Sequence, residues 1–255
     1  MCTLLLAVDV WDGARLVVAA NRDEVLDRPA SGPQLWKRDG RRFFAPRDEV
    51  AGGSWVGVTE SGLFVGITNR SIGGGPSVIS PDRRSRGALV LDALSSTNVA
   101  DAIARVRDHG PEAHNPFHLA LADEEQARVI WSDGWTLRED VLAPGRVHVV
   151  TERSYGAAPS GRDDFLRAHL ARLGNQTEPS LEGWRDLLST RRPHAPDDIR
   201  AAFDDVCVSV PAFNYGTRSS SWVRLNSAGH QRFAWIGAPP HRSPFEELTD
   251  SIPWA

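Results

Sequence analysis

Cys2 stands directly behind the initiator methionine, and a side chain that small predicts removal of Met1. The mature chain would then carry a thiol and a free α-amine on one residue. A thiol attacks as thiolate, and a free cysteine titrates near about 8.5 while an α-amine titrates near about 8. An exposed amine is therefore substantially neutral at neutral pH and can accept the thiol proton, directly or through water. Nucleophile and base would share one residue. The competing reading is that position 2 simply tolerates any small residue.

The run Asn21, Arg22, Asp23, Glu24 shifts that balance. It abruptly follows six mostly apolar residues, one hairpin away from Cys2. A plain surface turn would normally bring glycine or proline, and none is present. An arginine beside a nucleophilic thiol stabilises thiolate, and an aspartate there can hold the amine in place.

Other chemistry-bearing residues read as structural. Cys207, in the apolar run DVCVSVP, reads as a buried thiol rather than a reactive one. His114 and His118 are separated by Pro116, which disfavours a shared helical face. No Cys or His cluster has zinc spacing, and the triple glycine at 73–75 lacks the Lys and Ser/Thr of a phosphate loop. Neither metal nor cofactor is expected. Trp55 and Trp222 are read as lining an apolar pocket near Cys2.

These residues need elements to position them. Leu4 to Val8 is apolar on both faces, as in a strand between two layers, and Asp12–Ala14 turns it into a returning strand over 15–20. The segments SWVGVT and LFVGIT around the turn 60–62 repeat the pattern. A Gly/Ser/Pro-rich stretch, 71–82, reads as a mobile loop. It precedes a helix over 85–94 and a second capped by Asn98, with Val99, Ile103 and Val106 on its apolar stripe. Strands are expected at 117–122, 127–132 and 146–151. A second helix pair follows, marked by Leu166, Leu170 and Leu173, then Leu181, Trp184 and Leu188. Strands near 205–210, 218–225 and 231–236 and a proline-rich tail, 239–255, close the chain. This order predicts an α+β layered protein of antiparallel sheets with helices outside, in one domain spanning 1–255.

Bulk properties agree. A 255-residue chain that is 41% hydrophobic and 24% charged can build a core. Its formal charge of −4 gives no reason to expect nucleic acid or an anionic membrane as partner. Two cysteines and no run of spanning length predict a cytoplasmic protein without stable membrane insertion.

Six motifs occur in a characteristic order: MCT at the start, NRDE at 21–24, GGSWVG at 52–57, GITNRS at 66–71, SRGALV at 85–90 and YGTRSSS at 215–221. Together they resemble the NRDE family, also called the transport and Golgi organisation family, a branch of the N-terminal nucleophile (Ntn) hydrolase fold. The resemblance implies a four-layer αββα sandwich. It implies Cys2 as nucleophile, Arg22 and Asp23 flanking the thiol, Asn69 as an oxyanion donor and Arg218 as the late active-site arginine, with Arg224 its rival. One position departs from the pattern. Where related hydrolases carry an oxyanion asparagine, this chain has Glu152, and a carboxylate donates no hydrogen bond unless protonated. The expected activity is cleavage of an amide, ester or thioester in a small acylated substrate, or acyl transfer by the same parts. The alternative is a non-catalytic binding or trafficking protein for a hydrophobic ligand; the resemblance points to haem.

Overall fold

The computed structural model describes residues 2–72, 80–156, 160–173, 177–195, 197–227 and 229–254. Its strands are β1 (Cys2–Trp11), β2 (Ala14–Val25), β3 (Ala30–Arg38), β4 (Arg41–Asp48), β5 (Val56–Thr59), β6 (Phe64–Asn69), β7 (Phe117–Ala122), β8 (Ala127–Ser132), β9 (Leu137–Val141), β10 (Arg146–Val150), β11 (Ser209–Val210), β12 (Tyr215–Asn226), β13 (Gln231–Ile236) and β14 (Glu246–Glu247). Its α-helices are α1 (Arg86–Leu94), α2 (Val99–Asp108), α3 (Gly161–Leu173), α4 (Leu181–Leu188) and α5 (Ile199–Phe203).

Two antiparallel sheets form. The first runs β10-β1-β2-β12-β13-β14, with β11 paired to β12; the second is the meander β3 to β9. The two apolar hairpins expected from sequence fall in different sheets. Leu4, Leu6, Leu16 and Val18 from the first meet Phe44, Val56, Val58, Phe64 and Val129 from the second in one buried cluster. The outer face of the second sheet packs Val65, Leu119 and Ile130 against Leu89, Leu94, Ile103 and Val106 of α1 and α2. The outer face of the first packs Leu5, Val17 and Trp222 against Leu166, Trp184 and Leu188 of α3 and α4. The result is the four-layer αββα arrangement. Period-2 alternation explains it: even positions of β1 and β2 face the opposite sheet, and odd positions face the helices.

Local chemistry sets the helix starts. Ser85 accepts from the Gly87 N–H and Asn98 from the Asp101 N–H, each satisfying an orphan donor of the first turn. Several segments differ from the sequence reading, among them helix α5 and strand β14, which it did not contain. The hairpin β3–β4 and strand β9 are additional, and residues 205–208 precede β11 without strand pairing. Of the stretch read as a mobile loop, 73–79 lies outside the described residues. No helix among the described residues is long and apolar enough to cross a membrane.

Candidate active site

The NRDE motif lies inside β2, not in a turn beyond it. Arg22 pairs with Cys2 on one side of the strand and with Ser219 on the other, while Asp23 pairs with Thr217. A strand hydrogen-bonded along both edges has its side-chain directions fixed by the pleat. Cys2 and Arg22, directly opposite, therefore share the face toward the second sheet. Asn21 and Asp23 share the face toward the helices with Thr3.

The two faces do different work. On the helix side, Asn21 donates to the carbonyls of Leu188 and Val206 at 2.9 and 2.8 Å and accepts from Ser220 Oγ at 2.6 Å. It staples the sheet to α4 and the segment before β11. Asp23 accepts from Thr217 Oγ1 at 2.6 Å and meets Arg162 Nη1 at 3.3 Å. Arg162 is wholly buried, donates to Thr3 Oγ1 at 3.1 Å and lies 3.7 Å from Glu152. One guanidinium thus serves two carboxylates. Burial pushes the Asp23 carboxyl up from its ordinary range, against the pull of Arg162 and Thr217.

On the inner face, Arg22 stacks over Trp55, 4.0 Å from the ring centroid, and donates to Asp48 Oδ2 at 2.6 Å. Arg28 grips the same carboxylate with two bonds of 2.7 and 2.9 Å. Asp48 also accepts from the N–H groups of Val50 and Ala51, which fixes the loop into GGSWVG. Burial alone would raise the Asp48 carboxyl; the bonds from Arg28, Ala51 and Arg22 overcome it and hold it below the usual range.

A pocket of about 260 Å³ opens on this face, lined by Cys2, Arg22, Asp23, Trp55, Asn69 and Arg86 among others. Cys2 is half-buried at its wall. Burial pushes its thiol up; positive charge at the chain start, the Asp23 main chain and Arg22 pull it down. The net shift is upward. Asn69, at the end of β6, has no hydrogen-bond partner for its amide among the described residues and is available to donate.

Cys2, Arg22, Asp23 and Asn69 therefore converge. Arg218 does not join them. It is the extra residue where the β2–β12 register shifts, and the bulge sends its guanidinium to the Leu26 carbonyl, beside a separate cleft. Arg224 instead pairs with Glu178 at 3.1 Å. Glu152 is buried beside Arg162 and Arg153 and does not line the Cys2 pocket. Trp55 lines the pocket as expected, whereas Trp222 faces the helix-side core. The lining mixes five arginines with apolar surface from Trp55, Ile67 and Pro81.

Sequence reasoning missed Asp48, Arg28, Arg86 and Arg162. Arg86 lies inside the SRGALV motif, whose pattern signals only a helix start. Gly53 and Gly87 explain two of those motifs together. A Cβ on Gly53 would come within 2.4 Å of the Gly87 carbonyl carbon, and the Ser54 N–H donates to Gly87 O at 3.2 Å. Main chain meets main chain, and this contact sets Arg86 in the pocket wall. Cys207 is fully buried, with Arg191 and His241 near its sulfur. His118 is buried between Thr68 and the Ser154 carbonyl and is pushed down to about 3 by burial. No group of three or more potential metal ligands occurs among the described residues.

Known proteins share this fold. A Caenorhabditis elegans N-acylethanolamine-hydrolyzing acid amidase ortholog superposes with a TM-score of 0.55 at 16% identity, covering 87% of this chain and 92% of its own. A variant of the conjugated bile acid hydrolase from Clostridium perfringens gives 0.50 at 12% identity, covering 98% and 93%. At such identities the likeness is one of fold, that of the Ntn hydrolases. In sequence, Transport and Golgi organization protein 2 homologs are similar: the one from Bos taurus is 27% identical over 89% of both chains, and that from Homo sapiens 26% identical over 86% of this chain and 85% of its own. The family model described as Transport and Golgi organisation 2 matches residues 1–234, most of both sheets and all five helices, and the chain belongs to that family.

Proposed function

We propose that this protein is an N-terminal cysteine hydrolase acting on an amide, ester or thioester bond of a small acylated substrate. The observation that carries the reading is the placement of Cys2 in a pocket opposite Arg22, with Asp23 and Asn69 in the same wall. Removal of Met1 frees the α-amine of Cys2. That amine takes the thiol proton as Sγ attacks the carbonyl carbon, and Asn69 donates to the oxygen as it turns negative. Collapse breaks the bond to the leaving group, which receives the proton, and leaves a thioester on Cys2. Water attacks the thioester, releasing the acid and restoring the thiol. An acceptor amine in place of water gives acyl transfer with the same atoms.

Arg22 is positioned by Trp55 and Asp48 to favour the thiolate, and Asp23 to hold the amine. The carrier reading, with haem as ligand, is less well supported: the pocket is about 260 Å³ and walled by arginines and carboxylates, where a flat hydrophobic ligand needs a larger apolar cleft. Cysteine usage supports a cytoplasmic setting.

The test is mass spectrometry of the intact protein incubated with N-acyl amides and thioesters, alongside the variant Cys2→Ala. The expected result is loss of Met1, an acyl adduct on wild type alone, and turnover reduced by at least about 1,000-fold in the variant. Equal turnover by both proteins overturns the proposal.

A further inference from the structure

Five arginines line the Cys2 pocket, with the carboxylates of Glu24 and Asp48 beside them, and the charges are not evenly matched. Arg22 and Arg28 are consumed by Asp48. Asp23 is engaged by Arg162 behind the wall. The remaining three, Arg83, Arg84 and Arg86, pair with no carboxylate among the described residues. Arg83 donates to the His114 carbonyl at 2.9 Å and Arg86 to the Pro116 carbonyl at 3.1 Å, while Arg84 lies 2.9 Å from His109 Nδ1. Carbonyl and imidazole partners orient a guanidinium without cancelling its charge.

This wall is built rather than incidental. Asn115 bonds both the N–H and the carbonyl of Ser80, at 2.9 and 3.0 Å, and the Arg84 N–H donates to Ala113 O at 2.9 Å. The Gly53–Gly87 contact closes its other end. Burial pulls the Arg86 guanidinium down, with Cys2 and Glu24 opposing, so a half-buried cation faces the nucleophile's pocket with no carboxylate at ion-pair distance among the described residues. Such a cation gains from a bound anion.

Building on the hydrolase reading, we propose that the acylated ligand carries a carboxylate or phosphate, seated against Arg86 while its carbonyl lies at Cys2. The charged group belongs beside the scissile bond, because the arginine wall and the thiol share one small pocket.

Binding to Cys2→Ala, measured by titration calorimetry, tests this without turnover. Two matched pairs serve: an N-acyl amino acid against its neutral methylamide, and an N-acyl phosphoethanolamine against the N-acyl ethanolamine. The charged member of at least one pair should bind about tenfold tighter or more, with a preference that weakens as salt rises. Adding Arg86→Gln to Cys2→Ala should bring that preference toward one, and adding Arg86→Lys should retain part of it. Equal binding within both pairs overturns the proposal, as does a preference untouched by Arg86→Gln. A charge preference in a protein whose wild type never turns over keeps the anion subsite and removes only the hydrolase reading.

Discussion

Strand β2 presents two buried arginine–carboxylate pairs on opposite faces, one residue apart in origin. Inward, Arg22 meets Asp48, which also takes two bonds from Arg28 and two main-chain N–H groups. Outward, Asp23 meets Arg162, which it shares with Glu152 in a cluster closed to solvent. The inner carboxylate has more donors than charge and is held down. The outer one is pushed up by burial, which outweighs the pull of Arg162. The difference teaches that one tetrapeptide divides its labour: one face shapes the pocket, and the other carries an internal charge cluster that holds sheet to helices.

The sharpest way to break this comparison is Arg162→Met. Removing the shared cation strands Asp23 and Glu152 in the interior, and the expected loss of folding stability is about 3–5 kcal/mol by urea denaturation. A loss below the effect of an ordinary surface change would mean the outer face is not structural. Asn69→Ala should do the reverse, lowering kcat about 100- to 1,000-fold with the denaturation midpoint nearly unmoved. Smaller still is Arg28→Ala: Asp48 keeps Arg22 and its N–H donors, and the partner removed is nearly a third exposed, so the cost should be about 1 kcal/mol or less.

The pH dependence of stability separates the faces by sign. With its folded pKa lowered, Asp48 contributes stability that is present above its unfolded pKa and lost as pH falls through the folded one. With its folded pKa raised, Asp23 contributes stability that is full below its unfolded pKa and lost as pH rises through the folded one. Denaturation curves collected from about pH 3 to about pH 8 should therefore show Asp48→Asn flattening the acid-side fall. Asp23→Asn should remove a decline on the other side. Shifts of the same sign would erase the distinction.

The layers were legible because their signal is periodic. Apolar residues on both faces of β1 required a sheet covered twice, and Ser85 and Asn98 marked helix starts by their own hydrogen-bonding chemistry. The hairpin β3–β4 escaped because its apolar residues are few and its exposed face is dense in charge. At the site, Cys2 and Arg22 could be matched across a hairpin from sequence, since register fixes which residues lie opposite. Arg218 could not be placed, because a one-residue bulge in β12 redirects a side chain without altering composition. Arg162 and Asp48 gave no signal at all. Arg22 lies 26 residues from Asp48, and Thr3 and Asp23 lie 159 and 139 residues from Arg162, so only the folded chain brings these partners near.

The bare contact between Gly53 and Gly87 sets a constraint on how this scaffold can drift. A single methyl on Gly53 would overlap the Gly87 main chain and force the loop and the helix start apart, whereas one on Gly87 meets its neighbours at 3.1 to 3.2 Å and asks far less of them. The most sensitive adjusting screw of the cavity is thus a place where nothing protrudes, and variants that retune ligand choice should leave that seam alone while exchanging the arginines around it.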